Sequence, residues 1–262
     1  EKEADFYRSL IPFMISRERV GVPETELVEI DVHMTPKQSK QYEKFAADAE
    51  IKIEEEELSA TSVLAEFTRL KQFASAVQRV EIVRKKVGGE TKDVPVLHPL
   101  PDSGKLDKLM ELLDERGILD GSKEHPVVIF SQFKEMVDMV FDILAKKKVA
   151  VERITGDITG KGQRRAIVDA FQNGELSVLV MTTTAGGTAI TLDRADACIF
   201  LDRTWDPDDQ YQAWSRISPV TRMVPKTAYF LHSIGTIEDY IRDTNFDKNT
   251  ITTAVLKGIR LR

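Results

Sequence analysis

The sequence predicts an α/β fold, a parallel sheet with helices on both faces plus an N-terminal, mostly helical insertion, and three observations predict it. First, from residue 126 onward short apolar runs ("PVVIF", "AVERI", "SVLVM", "ACIFLD", "KTAYFLH") alternate with amphipathic stretches. Such alternation implies right-handed crossovers and a sheet covered on both faces. Second, "VVIF", "SVLVM" and "CIFL" carry no charge, as strands buried on both sides require. Third, the region before residue 117 is dominated by helical periodicity. We divide the chain into a lead-in at 1–34, a helical insertion at 35–116 and the α/β lobe at 117–262.

Taken in order, "ELVEIDVHM" alternates and predicts a strand over about Glu26 to His33. In "TPKQSKQYEKFAADAE", Thr35 is placed as an N-cap and Pro36 at the first helical position. "LSATSVLAEFTRLKQFASAVQRV" sets Val63, Phe67, Leu70 and Phe73 at helical spacing, a stripe that packs on a neighbouring helix. "VRKKVGGETKDVPVL" has a Gly-Gly turn between polar flanks and reads as a small hairpin. Ser103 caps and Gly117 closes the helix of "SGKLDKLMELLDERG". Within the lobe, "FKEMVDMVFDILAKK", "GQRRAIVDAFQNG" and "PDDQYQAWSRI" are helices between strands, with more helix from Thr236 onward. Asp206 caps and Pro207 opens the third of these. Pro219 biases Ser218 out of the α region, so that helix is expected to end near Ile217.

Composition narrows the function classes. With 42% apolar and 31% charged residues, the 262-residue chain suits a globular protein with a sizeable core. No run approaches the roughly 18 apolar residues of a membrane span, and "EKEADFYRSL" is no signal peptide, so an intracellular protein without a membrane partner is expected. One cysteine, Cys198 in an apolar run, excludes a disulfide framework and reads as a core residue. The four histidines lack metal-ligand spacing, so no metal site is expected in this chain. Net charge is −6, with residues 1–120 holding 18 Lys/Arg against 25 Asp/Glu and residues 121–262 holding 19 against 18. A near-neutral second half neither supports nor excludes a polyanion partner.

Four loops after strands share a character: "SQF" (131–133), "TGDITG" (155–160), "TTTAGG" (182–187) and "DRTWDP" (202–207). Hydroxyls, amides and glycine N–H groups suit phosphate without forming a fixed ion pair. Any single loop is equally a glycine turn; four on one sheet edge favour a binding rim. "GDITGKG" is one residue short of a phosphate-binding Walker A loop and lacks the following Ser/Thr. No acidic Mg²⁺ motif stands at a strand end. The lobe thus reads as half of a nucleotide machine.

The ordered set "SGKLDKL", "VVIFSQF", "ITGDITGKGQRRAIVDAF", "TTTAGGTAITLDRAD", "FLDRTWDP" and "QAWSR" resembles the C-terminal RecA-like lobe of the Swi/Snf-related DNA translocases, in helicase superfamily two. "SLIPFMISR", with Leu10, Pro12, Phe13 and Arg17, and "TPKQSKQYEKF" resemble that family's approach to the lobe. The resemblance implies a RecA-like parallel sheet and ATP-driven movement along double-stranded DNA. It implies that Ser131, Gln132, Thr182, Thr183 and Gly186 contact the DNA backbone. Gly187, Gln212 and Arg216 would face ATP and Mg²⁺ bound mainly by an N-terminal RecA-like lobe, and Trp205 would couple the two sites. Four positions depart from the family pattern: Thr184 where a basic residue is usual, Ala189 for glycine, Thr191 for asparagine, and Pro219 where a second arginine stands three residues after Arg216. Arg222 is the candidate to replace that catalytic arginine. Two other readings stay open, a non-hydrolysing DNA-binding or scaffold module and a strand-separating helicase lobe.

Overall fold

The computed structural model describes residues 25–54, 60–87, 90–158, 160–185, 190–217 and 226–244. The expectations for Leu10, Pro12, Phe13, Arg17, Gly186, Gly187, Ala189, Pro219 and Arg222 lie outside these residues.

Six strands form one sheet: β1 (Glu26–Val32), β4 (Val127–Ser131), β5 (Val151–Ile154), β6 (Val178–Thr182), β7 (Ala197–Phe200) and β8 (Thr227–Ser233). Their order is β1-β8-β7-β4-β6-β5, and every neighbouring pair is parallel. A second sheet is the antiparallel hairpin of β2 (Gln78–Val87) and β3 (Glu90–Pro99). Among the described residues the helices include α1 (Pro36–Glu54), α2 (Ala60–Ser75), α3 (Gly104–Asp114), α4 (Lys134–Lys146), α5 (Lys161–Gln172) and α6 (Pro207–Trp214), and residues 237–244 are helical as expected.

The uncharged runs become the sheet's centre because side chains alternate across a strand. Val127, Ile129, Val178, Val180, Ala197 and Ile199 point to one face, where α3 and α4 add Leu109, Leu113, Val137, Val140 and Leu144. Val128, Phe130, Leu179, Met181, Cys198 and Phe200 point to the other, where α5 and α6 add Phe171, Ala213 and the partly buried Trp214. Full burial of one such side chain stabilises by roughly 1.5–3 kcal/mol. Phe130, Phe200 and Phe230 stack across three strands, with centroids 5.0 and 4.8 Å apart. The Cys198 thiol is fully buried and its pKa is pushed far up by desolvation, which makes it a core residue.

The expected caps are in place. Thr35 Oγ1 accepts from the Gln38 N–H at 3.2 Å, and Ser103 Oγ from that of Leu106 at 3.2 Å. Asp206 Oδ1 accepts from Asp208 N–H at 3.0 Å, and Pro207 follows as the first residue of α6. After α3 the chain turns at Gly117, whose φ of +66° only glycine adopts without strain, and Ile118 N–H reaches back to the Leu113 carbonyl at 3.0 Å.

Two boundaries differ from expectation. Helix α6 ends at Trp214 rather than near Ile217, and the chain continues through tight turns in which Arg216 and Ile217 N–H groups bond to Ala213 and Trp214. The last turn has tightened to i→i+3 bonding, as helix ends often do. The hairpin also begins earlier than expected. Gln78, Arg79 and Val80 stand in β2 rather than at the end of the preceding helix, because each pairs with β3. In segment 35–116, α1 and α2 share a small core of Tyr42, Leu70, Phe73 and Ala74 with Leu97 of β3. Helix α3 instead packs into the core of the large sheet, and β1 joins that sheet beside β8.

Candidate nucleic-acid interface

Because the sheet is wholly parallel, the loops after β4, β5, β6 and β7 leave from one edge, and these four strands are adjacent in the sheet. The loop after β4 leads into α4 on one face, while that after β6 leads to Ala185, Ile190 and Leu192 on the other. Neighbouring strands whose connections part to opposite faces create a crevice at the sheet edge, where open α/β sheets bind ligands. Ser131 and Thr182 are the last paired residues of β4 and β6 and flank that crevice.

Four sequence-predicted residues therefore meet there, in different states. Thr183 N–H donates to the Ser131 carbonyl at 2.9 Å, while the Thr183 hydroxyl is buried without a hydrogen-bond partner. Thr182 Oγ1 accepts from Ala185 N–H at 3.3 Å. The Ser131 hydroxyl is turned inward and donates to Asp202 in a short hydrogen bond. Asp202 also accepts from the Gln132 N–H at 2.9 Å. Gln132 donates its side-chain amide to the Arg203 carbonyl and accepts on Oε1 from Lys71 at 2.9 Å. Burial pushes the Asp202 carboxyl above its usual range, and the Lys71 ammonium with the Ser131 and Gln132 hydrogen bonds works against that rise.

Farther along the rim, Trp205 is half-buried, its ring 6.0 Å from that of Phe67 on α2. Arg203 pairs closely with Glu29 of β1 and lies 5.2 Å over the ring of Phe230. Gln212 is exposed on α6, and Arg216 is half-buried in the turn after it, its carbonyl accepting from Leu192 N–H at 2.9 Å. Desolvation lowers the pKa of the Arg216 guanidinium, and the like charge of Arg164 lowers it further. Beside the rim, an open groove of about 410 Å³ runs between the loop after β5 and α4, lined by Lys134, Asp138, Arg153, Thr155, Asp157 and Gln163.

Sequence reasoning missed Lys71 and Arg164. Lys71 sits in a helix whose apolar stripe drew attention to Phe67 and Leu70, and nothing in its neighbourhood marks it as buried. Arg164 carried a weak signal in the "QRR" at the start of a helix. Among the described residues no three His, Cys, Asp or Glu side chains are grouped to hold a metal ion. Nor, among those residues, is any helix long and apolar enough to cross a membrane.

Comparison with known proteins bears on this geometry. The family model described as the helicase conserved C-terminal domain matches residues 104–218. The chain is 34% identical over 157 residues to the chromatin-remodeling ATPase INO80 of Aspergillus oryzae, covering 60% of this chain and 11% of that protein. It is 28% identical over 289 residues to TATA-binding protein-associated factor 172 of Homo sapiens, covering 95% of this chain and 16% of the relative. The chain thus spans a small part of the length of these relatives. Among solved structures, the C-terminal part of the Fun30 ATPase domain superposes with a TM-score of 0.67 at 18% identity, covering 86% of this chain and 89% of that one. The Sulfolobus solfataricus SWI2/SNF2 ATPase core in complex with dsDNA superposes with a TM-score of 0.66 at 22% identity, covering 97% of this chain and 52% of that one. Both structural likenesses establish the RecA-like fold.

Proposed function

Because the chain belongs to the Swi/Snf-related family of helicase superfamily two as a C-terminal RecA-like lobe, we propose that it is the C-terminal motor lobe of an ATP-dependent double-stranded DNA translocase that remodels protein–DNA complexes. The observation that carries this reading is the crevice between β4 and β6, where Ser131, Gln132, Thr182 and Thr183 meet at the carboxyl edge of the sheet. The Thr183 hydroxyl, buried without a partner, is a donor that a phosphate oxygen would satisfy. Thr182 and Gln132 would extend the phosphodiester track. Ser131 serves it through Asp202, which orders the loop. The relatives themselves, a chromatin-remodeling ATPase and a TATA-binding protein-associated factor, support a nucleoprotein as the object moved.

On the nucleotide side, Arg216, with Arg164 beside it, would meet the triphosphate held by the N-terminal lobe, with Gln212 and Gly187 facing the same site. ATP and Mg²⁺ would supply the phosphoryl-transfer chemistry, while this chain contributes cations, amides and the placement of DNA. Trp205, in the segment that runs from Asp202 to the start of α6, would link the two sets of residues.

The test is ATP hydrolysis by the two-lobed protein with and without blunt duplex DNA. Duplex should stimulate turnover, Arg216→Ala should remove roughly 10³-fold or more of it, and the 262-residue chain by itself should hydrolyse nothing. Pro219→Arg should raise turnover and Arg222→Ala lower it, since Arg222 is the one candidate for the second arginine. A rate indifferent to duplex would refute the translocase reading, and no hydrolysis at all by the two-lobed protein would leave the non-hydrolysing DNA-binding module. Unwinding of a forked substrate would favour a strand-separating helicase.

A further inference from the structure

Helix α2 belongs to the insertion, yet it sends two side chains beneath the rim. Lys71 is 1% exposed, and its ammonium donates to Gln132 Oε1 at 2.9 Å. The same ammonium lies 5.8 Å from the ring centroids of both Phe133 and Trp205. One turn earlier, Phe67 packs on Trp205. Burial lowers the pKa of Lys71, and the carboxylates of Asp202 and Glu238 partly restore it against the repulsion of Lys105. A buried ammonium is an expensive way to fill space between aromatic rings, where methionine would pack as well. What lysine adds is a fixed donor and a charge facing two loops at once.

Those loops are joined directly by Ser131 and Gln132 bonding to Asp202 and by Gln132 bonding to Arg203, and Lys71 braces that junction from α2. Gln132 belongs to the loop after β4, and Asp202, Arg203 and Trp205 belong to the loop after β7. With Lys71 on its oxygen, the Gln132 amide can orient only one way, so its nitrogen meets the Arg203 carbonyl. Asp202, with Lys71 nearby, receives Ser131 Oγ and the Gln132 N–H. Removing the ammonium frees the amide to turn and leaves the Asp202 carboxylate without its strongest electrostatic partner.

We infer that Lys71 is a positioning residue: through Gln132 and Trp205 it fixes the loops after β4 and β7 in one relative arrangement, and thereby sets how tightly duplex DNA is coupled to nucleotide hydrolysis. The inference rests on the translocase reading for its functional half. Its structural half, the restraint of Trp205 by α2, stands on the contacts alone.

The test uses the two-lobed protein with Lys71→Met, which keeps length and apolar volume but removes donor and charge, and Phe67→Leu, which removes the ring packed on Trp205 while leaving Lys71 in place. Lys71→Met should raise the duplex concentration for half-maximal ATPase stimulation about tenfold, within the range expected for a lost coupling side chain, while turnover without DNA stays within about twofold. In a Trp214→Phe background Trp205 is the one remaining tryptophan of this chain, and acrylamide should quench it more readily in both variants. Phe67→Leu should shift the duplex requirement in the same direction by less, and it carries the test alone if Lys71→Met does not fold. An unchanged duplex requirement, with both rates reduced by one common factor, would overturn the inference, as would unchanged quenching of Trp205. If the parent protein shows no stimulation by duplex, the translocase reading fails, while the quenching still decides whether α2 restrains Trp205.

Discussion

Glu238→Gln should destabilise this protein more than its position beyond the sheet suggests. Lys105 and Glu238 are both 0% exposed and meet across 133 residues of chain, the ammonium 2.6 and 2.7 Å from the two carboxylate oxygens. The remaining donor of Lys105 reaches the Leu201 carbonyl at 2.7 Å, and Glu238 Oε2 also accepts from Ser233 N–H at 2.8 Å. Every proton of the ammonium is therefore used, and no water is needed to satisfy either group. Neutralising one partner leaves the other charge buried, which costs about 3–5 kcal/mol. At roughly 2–4 °C per kcal/mol for a domain of this size, melting should fall by about 6–20 °C. Lys105→Met should cost a similar amount. The double variant should cost clearly less than the sum of the singles, with a coupling energy of at least about 1.5 kcal/mol. Circular dichroism melts and urea titrations of the four proteins give the cycle. A Glu238→Gln protein that melts within about 2 °C of the parent would show that the pair is not a buried ion pair, and additive single effects would show that the two groups do not act together.

The remaining predictions probe the frame around the rim. Gly104 opens α3 where a Cβ would lie 2.0 Å from the His33 carbonyl oxygen, just past the end of β1, and 3.1 Å from Val32 Cγ1. Gly104→Ala must displace backbone and should cost about 3 kcal/mol or more, read as a melting shift near 10 °C; an unshifted melt would show that β1 and α3 approach less closely. Asp239 supplies a pH signature. Burial raises its pKa, but hydrogen bonds from His232 Nε2 and from the Gly235 and Thr236 N–H groups more than offset this and hold it below the usual carboxylate range. A depressed folded pKa means that its stabilisation is present above the unfolded value of about 4 and is lost as pH falls through the folded value. Asp239→Asn should therefore lower stability at pH 7 and flatten the loss of stability below about pH 4, measured by urea unfolding at each pH; an identical acid profile would remove Asp239 from the account.

The sheet and its helices were legible because their signals are local. An uncharged run such as "SVLVM" needs cover on both faces, and Asp206-Pro207 or Ser103-Gly104 can cap and open a helix whatever surrounds it. Strand order was not legible at all, and it is strand order that makes the crevice: β4 and β6 are neighbours although α4, β5 and α5 lie between them in sequence. The C-terminal boundary of α6 failed for a physical reason too. Pro219 constrains Ser218 but says nothing of Trp214, where the helix already gives way to tighter turns.

Within the rim, sequence patterns pick out residue types but not the direction each side chain faces. Ser131 and Thr183 read alike in sequence, one hydroxyl ending an uncharged strand and the other just past the end of its neighbour. In the fold Asp202 captures the first, while the second is left without a partner. The difference comes from β7, which brings Asp202 beside β4 and not beside β6. The same placement explains why two lysines of ordinary helical stretches, Lys71 and Lys105, end in the interior. Asp202 and Glu238 are buried behind the loops that β4 and β7 project, and a buried carboxylate requires a cation or a full set of donors. Lysine reaches them from α2 and α3, one also donating to Gln132 and one to the Leu201 carbonyl. Packing alone constrains an amide or a carboxylate poorly, and a charge supplied from a neighbouring helix does so directly: Lys71 orients the Gln132 amide, and Lys105 holds the Glu238 carboxylate.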